Sequence, residues 1–163
     1  MEQADGEYYP KTLLSQFNEK MEKMEYLRIL AERDGLTGLI NYRTFQERYK
    51  QYVDTNLFCW LFIIDVDRFK DINDTFGHMS GNHVLKKMAV TLNKMVRFSD
   101  IVCRMGGDEF VLLCSGIESE EQAQTFVQII KKAIADAGKD EKAWKSPGRR
   151  ELSTGKPTGR PPC

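Results

Sequence analysis

Apolar residues recur along this chain in several rhythms, and each predicts a different kind of element. Leu14, Phe17, Met21, Met24 and Ala31 fall at a/d spacing with charges between them, which predicts an exposed N-terminal amphipathic helix of about two and a half heptads. Arg28 lies in that seam, so pairing with another helix and packing on the chain's own domain both stay open. Asp34-Gly35-Leu36-Thr37-Gly38-Leu39-Ile40-Asn41 breaks the rhythm with two glycines and a capping residue. Phe45, Tyr49, Tyr52 and Val53 then resume helical spacing, so a helix-turn-helix corner is expected. Leu57–Ile64 is a continuous apolar run of strand length, the pattern of a strand buried on both faces.

Further along, Ser80 reads as the N-cap of a helix whose stripe is Leu85, Met88, Leu92 and Met95. Ile101-Val102-Cys103 and Phe110–Cys114 flank a Gly-Gly corner, the signal of a β-hairpin. Ser119-Glu120-Glu121-Gln122 is a capping box that opens a helix with Ala123, Phe126, Val127, Ile130, Ile134 and Ala137 on one face. That helix stops at Gly138. Residues 139–163 are basic, carry Pro and Gly and have almost no apolar periodicity, so they read as a disordered tail with no final strand. The expected organisation is therefore an N-terminal linker helix at 1–33, one domain at 34–138 and a tail at 139–163.

Composition changes this picture mainly by exclusion. The 163 residues suffice for one domain with a real core and short appendages. Lys plus Arg and Asp plus Glu are equal at 24 each, so no global field draws the chain to nucleic acid or to an anionic membrane. Any anion site must be local. Cys59, Cys103 and Cys114 lie in apolar runs where a reduced thiol packs as a small hydrophobe, and with Cys163 they show no metal-ligand spacing. No membrane segment and no signal-peptide pattern is visible, which makes the cytoplasm the expected compartment.

The candidate chemistry is acidic. Asp65-Val66-Asp67 ends the apolar run at Leu57–Ile64, where a carboxylate meets solvent at a strand end. Arg104-Met105-Gly106-Gly107-Asp108-Glu109-Phe110 places Asp108 and Glu109 at a hairpin tip whose glycines let a bulky anion approach the backbone. Taken singly, the hairpin corner reads as a plain solvated turn, and Asp65-Val66-Asp67 reads equally as an acidic cap on the next helical turn. If the two strands are neighbours, Asp65 and Asp108 converge and can hold one or two Mg²⁺ (or Mn²⁺) ions against a triphosphate. Between them, Asn73 offers an amide that both donates and accepts, as reading a purine edge requires. His78 alone is more often a structural or surface histidine.

Four motifs in this order resemble the GGDEF domain, the diguanylate cyclase family. They are Asp34–Leu39 with Asn41 and Arg43, Asp65–Asp74, Gly77-His78, and the signature Gly106–Phe110. The resemblance covers about residues 31 to 137. It implies an α/β (α+β) fold with a polymerase-palm-like sheet flanked by helices, and condensation of two GTP into cyclic di-GMP across a homodimer. It implies that Asp65, the Val66 carbonyl and Asp108 hold the metal, with Asp108 or Glu109 deprotonating the attacking hydroxyl. Phe69 and Lys70 would line the phosphates, and Asn73, His78, Asn82, Gly106 and Gly107 would belong to the nucleotide site. Arg97-Phe98-Ser99-Asp100 stands five residues before the signature, where the family often carries a product-inhibition site built on the equivalents of Arg97 and Asp100.

Two departures accompany the match. Asn82 stands where the family commonly has Asp, and a neutral amide is a poorer match to the N1 and N2 donors of guanine. After Ala137 the family continues with a strand and a helix bearing a Lys-x-x-Gly-Arg clamp. Lys145–Arg149 and Lys156–Arg160 fit that string, but Pro147 and Pro157 disfavour a helix there. The expectation is a truncated or frame-shifted domain, separated from an upstream sensor. The alternatives are thus a cyclase, a silent cyclic di-GMP receptor, or a fragment with neither activity.

Overall fold

A computed structural model describes residues 12–55 and 58–138. The chain divides into two compact units, Met1–Ala31 and Glu32–Cys163. Helix α1 (Leu13–Glu32) accounts for the described part of the first, and none of its residues is buried. Its a/d stripe stays open to solvent at Leu14, Phe17, Met21 and Met24, but Tyr26, Leu27, Ile29 and Leu30 are exposed as well. The apolar surface of α1 is therefore wider than one seam.

The second unit runs β1 (Ile40–Asn41), α2 (Tyr42–Asp54), β2 (Cys59–Asp65), α3 (Phe69–Phe76), α4 (His78–Met95), β3 (Ile101–Gly106), β4 (Glu109–Ser115) and α5 (Glu120–Ala137). The four strands form one mixed sheet in the order β1-β3-β4-β2, with β1 parallel to β3 and the other pairs antiparallel. On one face Trp60, Phe62, Ile64, Phe110 and Leu112 pack against Leu85, Met88 and Leu92 of α4 and Ile130 and Ile134 of α5. On the other, Ile101, Cys103, Val111 and Leu113 pack against Phe45 of α2. Each fully buried side chain of this size contributes roughly 1.5–3 kcal/mol. Trp60 also donates its indole N–H to the Ile117 carbonyl at 2.9 Å, so its polar edge is satisfied.

Local chemistry sets the boundaries. Asn41 caps α2 by accepting from Thr44 N–H, and Ser119 caps α5 by accepting from Gln122 N–H. The Gln122 side chain answers by accepting from Glu118 N–H at 2.9 Å, one residue before the cap and so one residue off the usual reciprocal box. All three described cysteines are free, as a reduced compartment allows.

Three expectations need correction. The strand Cys59–Asp65 is buried on one face only: Trp60, Phe62 and Ile64 are inside, while Ile63 is 39% exposed. It is the outermost of the described strands, and on that face α2 packs over β1 and β3 instead, whereas β4 buries Phe110 through Cys114 without a break. Helix α4 starts at His78 with Gly77 as N-cap, not at Ser80, whose hydroxyl donates to the Phe76 carbonyl inside the first turn. Gly77 takes φ 81°, which lets α3 reverse directly into α4. The corner at Asp34–Asn41 contains a short strand, because Ile40 and Asn41 find Cys103 and Arg104 as partners. The polar stretch Phe69–Phe76, for which the apolar pattern predicts no element, is a helix of its own. The predicted tail at 139–163, with both clamp strings, lies outside the described residues.

Candidate functional site

The hairpin between β3 and β4 is closed by Gly107 and Asp108, since Gly106 pairs with Glu109. Gly107 has φ 54° and Asp108 does not share the positive sign, the sign pattern of a type II′ turn, which needs glycine at its first central position. A register shift between Arg104 and Gly106 bulges the strand just before the tip. Arg104 then turns back on the loop and donates Nε and Nη2 to the Gly107 carbonyl at 3.0 and 2.6 Å. The tip is fixed by a cation on one side and by sheet pairing on the other.

Pairing of β2 with β4 sets Asp65 opposite Glu109. Asp108 stands next to this pair, close enough for its carboxyl to feel the charges of both Asp65 and Glu109. Partial burial, followed by the charges of Asp65 and Glu109, pushes the Asp108 carboxyl above its ordinary range. Two carboxylates this close repel unless a proton or a cation sits between them. Val66 follows directly, and its carbonyl accepts from Phe69 N–H at 3.1 Å, which uses one of two lone pairs. Among the described residues no three His, Cys, Asp or Glu side chains form a closed metal cage. Mg²⁺ does not require one, because it is commonly held by one or two carboxylates together with substrate phosphates. The donors present fit that mode.

Helices α3 and α4 bring together a second group. Asn73 lies against Gly81 so closely that a Cβ on Gly81 would stand 2.0 Å from Asn73 Oδ1 and 3.1 Å from the Phe69 ring. The glycine is thus a slot for the Asn73 amide, and it sets Asn73 beside the turn of α4 that carries Asn82. Lys70 and His78 are solvent-exposed, with His78 the first residue of α4. Arg68, which leads into α3, takes φ 56°, a left-handed conformation unusual for a non-glycine residue, next to the Asp65 strand end.

Arg97 and Asp100 lie at the other end of the hairpin, about 20 Å away by the rise of a six-residue strand. The Asp100 carboxylate accepts from Arg97 N–H at 2.8 Å and from Ser115 N–H at 3.0 Å. It therefore has a structural task, tying the start of β3 to the end of β4. The Arg97 guanidinium lies over Gly116, in a cleft of about 360 Å³ shared with Glu121, Gln122 and Thr125.

Residues 31–159 match the family described as diguanylate cyclase, GGDEF domain. The chain belongs to the GGDEF domain family. Among relatives, the probable diguanylate cyclase DgcC of Escherichia coli K12 is 34% identical over 112 residues, covering 66% of this chain and 30% of that protein. The diguanylate cyclase DgcM of the same strain is 39% identical over 105 residues, covering 62% of this chain and 26% of that protein. This GGDEF chain spans less than a third of the length of either relative. Among solved structures, the coiled coil and GGDEF domain of DgcB from Caulobacter crescentus, in complex with c-di-GMP, superposes with a TM-score of 0.74 at 23% identity. That match covers 87% of this chain and 76% of the other, and it supports the fold. No helix among the described residues is long and apolar enough to cross a membrane.

Asp34 and Arg104 of this GGDEF domain lie within the sequence motifs, but the sequence pattern gives neither a task. The structure joins them, and through Arg104 it joins Asp34 to the hairpin tip. No periodicity links residues so far apart. The only hint was an arginine two positions before a Gly-Gly turn, a position where a carbonyl is left to be held.

Proposed function

We propose that this GGDEF domain is a diguanylate cyclase module that condenses two GTP into cyclic di-GMP, one GTP held by each subunit of a homodimer. The observation that carries this reading is the meeting of Asp65 and Asp108 at an open Gly106-Gly107 tip. Asp65, Asp108 and the Val66 carbonyl hold Mg²⁺ or Mn²⁺ against the triphosphate. The bound cation neutralises phosphate charge and favours loss of the hydroxyl proton. Glu109 or Asp108 accepts that proton from the 3′-hydroxyl. The 3′-oxygen then bonds the α-phosphorus of the other GTP while the bond to pyrophosphate breaks. Gly106 and Gly107 leave room for the phosphates, Phe69 and Lys70 line them, and Asn73, His78 and Asn82 meet the nucleotide.

A second reading is a receptor that binds cyclic di-GMP through Arg97 and Asp100. The cleft beside Arg97 supports it. Mass spectrometry of nucleotides after incubation with GTP and Mg²⁺, beside Asp108→Ala, separates the two. Cyclic di-GMP from the unaltered chain alone supports the cyclase. A folded protein without product overturns it and leaves the receptor, for which cyclic di-GMP raises the melting temperature and GTP does not.

A further inference from the structure

Every nitrogen of the Arg104 guanidinium is engaged, and by two partners only. Nε and Nη2 donate to the Gly107 carbonyl, and Nη1 donates to the Asp34 carboxylate. Asp34 is itself pinned in the turn that follows α1. Its carboxylate accepts from the Thr37 N–H and hydroxyl, its backbone N–H donates to the Leu39 carbonyl at 2.8 Å, and its carbonyl accepts from Gly38 N–H at 2.8 Å. Pairing of Asn41 with Arg104 then lays this turn along the strand that leads to the hairpin tip. Among the described residues Arg104 forms no ion pair with Asp65, Asp108 or Glu109, although it stands close to Asp108 and Glu109 in the chain.

A trans peptide unit is planar, so its C=O and N–H point in opposite directions. A Gly107 carbonyl fixed on Arg104 therefore turns the Asp108 N–H to the other side of the tip and fixes the backbone from which the Asp108 carboxylate projects. Removing Asp34 would release a cation beside an acidic cluster, and a guanidinium pairs strongly with carboxylates. We propose that Asp34 and Arg104 are positioning residues for the candidate site: Asp34 keeps the Arg104 cation on the Gly107 carbonyl and off the acidic cluster, which leaves Asp65 and Asp108 to a divalent cation. Neither side chain is a catalytic residue, since each acts through the backbone of the tip. The effect on turnover rests on the cyclase reading, while the effect on the tip and on its cation does not.

Nuclear magnetic resonance of the full labelled chain, with Mn²⁺ as the probe and GTP turnover measured alongside, tests this in Asp34→Asn and Arg104→Lys. Ile130→Val, which thins the core, is the comparison for a purely structural loss. The Gly107 carbonyl and Asp108 amide resonances should move in both tip variants and stay in place in Ile130→Val. Broadening of the Asp65 and Asp108 resonances should need about tenfold more Mn²⁺ in the tip variants, the usual effect of losing a group that orients a metal ligand. With GTP and Mg²⁺, kcat should fall about tenfold or more while KM stays within about twofold. Unmoved tip resonances overturn the proposal, as does Mn²⁺ broadening that is absent from the unaltered chain or equal in all variants. A fall in kcat no larger than the unfolded fraction overturns it too. If the unaltered chain makes no cyclic di-GMP yet the Mn²⁺ response shifts as expected, the cyclase reading fails and the positioning role stands. Should one tip variant not fold, the other decides.

Discussion

Arg104 and Asp34, seventy residues apart in sequence, form a forked ion pair, with Nη1 of Arg104 donating to Oδ1 at 3.0 Å and to Oδ2 at 3.2 Å. Their side chains are only 12% and 23% exposed. Asp34 also accepts from the Thr37 N–H and hydroxyl at 2.8 and 2.6 Å. Because Arg104 holds the Gly107 carbonyl with its remaining nitrogens, the turn after α1 and the tip of the hairpin are braced by one side chain.

Asp34→Asn should lower stability at pH 7 by about 1–2 kcal/mol, the range for a charged hydrogen bond discounted for partial exposure. Burial acts to raise the Asp34 pKa, but the hydrogen bonds from Thr37 and Arg104 outweigh it and leave it below the ordinary value. The contribution is therefore complete above the unfolded pKa of about 3.9 and is lost as pH falls through the lower folded value. Urea unfolding at pH 7 and pH 3 checks this. The gap between the unaltered chain and Asp34→Asn should narrow in acid.

Asp108→Asn should act in the opposite sense. Burial and the neighbouring Asp65 and Glu109 charges raise the Asp108 pKa, so its ionised form weakens the fold at neutral pH. In metal-free buffer at pH 7 the variant should melt higher than the unaltered chain. That advantage should vanish below the unfolded pKa of about 3.9, where both folded and unfolded carboxyls are protonated. Adding Mg²⁺ should raise the melting temperature of the unaltered chain and leave Asp108→Asn nearly unmoved.

Gly81→Ala should disturb Asn73 more than it disturbs the fold. The new methyl would collide with the Asn73 amide, a side chain that can swing away, and with the Phe69 ring edge, which must give by a few tenths of an ångström. A stability loss of roughly 1–2 kcal/mol is expected from overpacking. In an Asn73→Ala background most of that loss should disappear, and a double-mutant cycle by urea unfolding measures the difference.

Neighbouring isoleucines on α5 should separate cleanly. Ile130 is fully buried and Ile129 is 52% exposed. Ile130→Ala should cost about 2–5 kcal/mol, and Ile129→Ala should stay within about 0.5 kcal/mol. Similar losses for both would mean that α5 does not face the sheet as described.

Much of this domain follows from residues close together in sequence. The stripe Leu85, Met88, Leu92 reads as the buried face of α4 because a helix repeats every 3.6 residues, and those side chains are buried. The Gly106–Glu109 turn reads as a hairpin because only glycine easily takes the backbone angles such a turn needs. These are local constraints, and local sequence determined them. Which strand lies where is another matter: Leu57–Ile64 and Phe110–Cys114 look alike as apolar runs, yet β4 lies between β3 and β2, and β2 is the outermost of the described strands. Strand order depends on pairing across long loops, which side-chain periodicity does not encode. The same holds for Asp65 beside Asp108, and for Asp34 beside Arg104. Tertiary structure alone decided those meetings, because a charge finds its partner through the sheet's geometry and not through its neighbours in the chain.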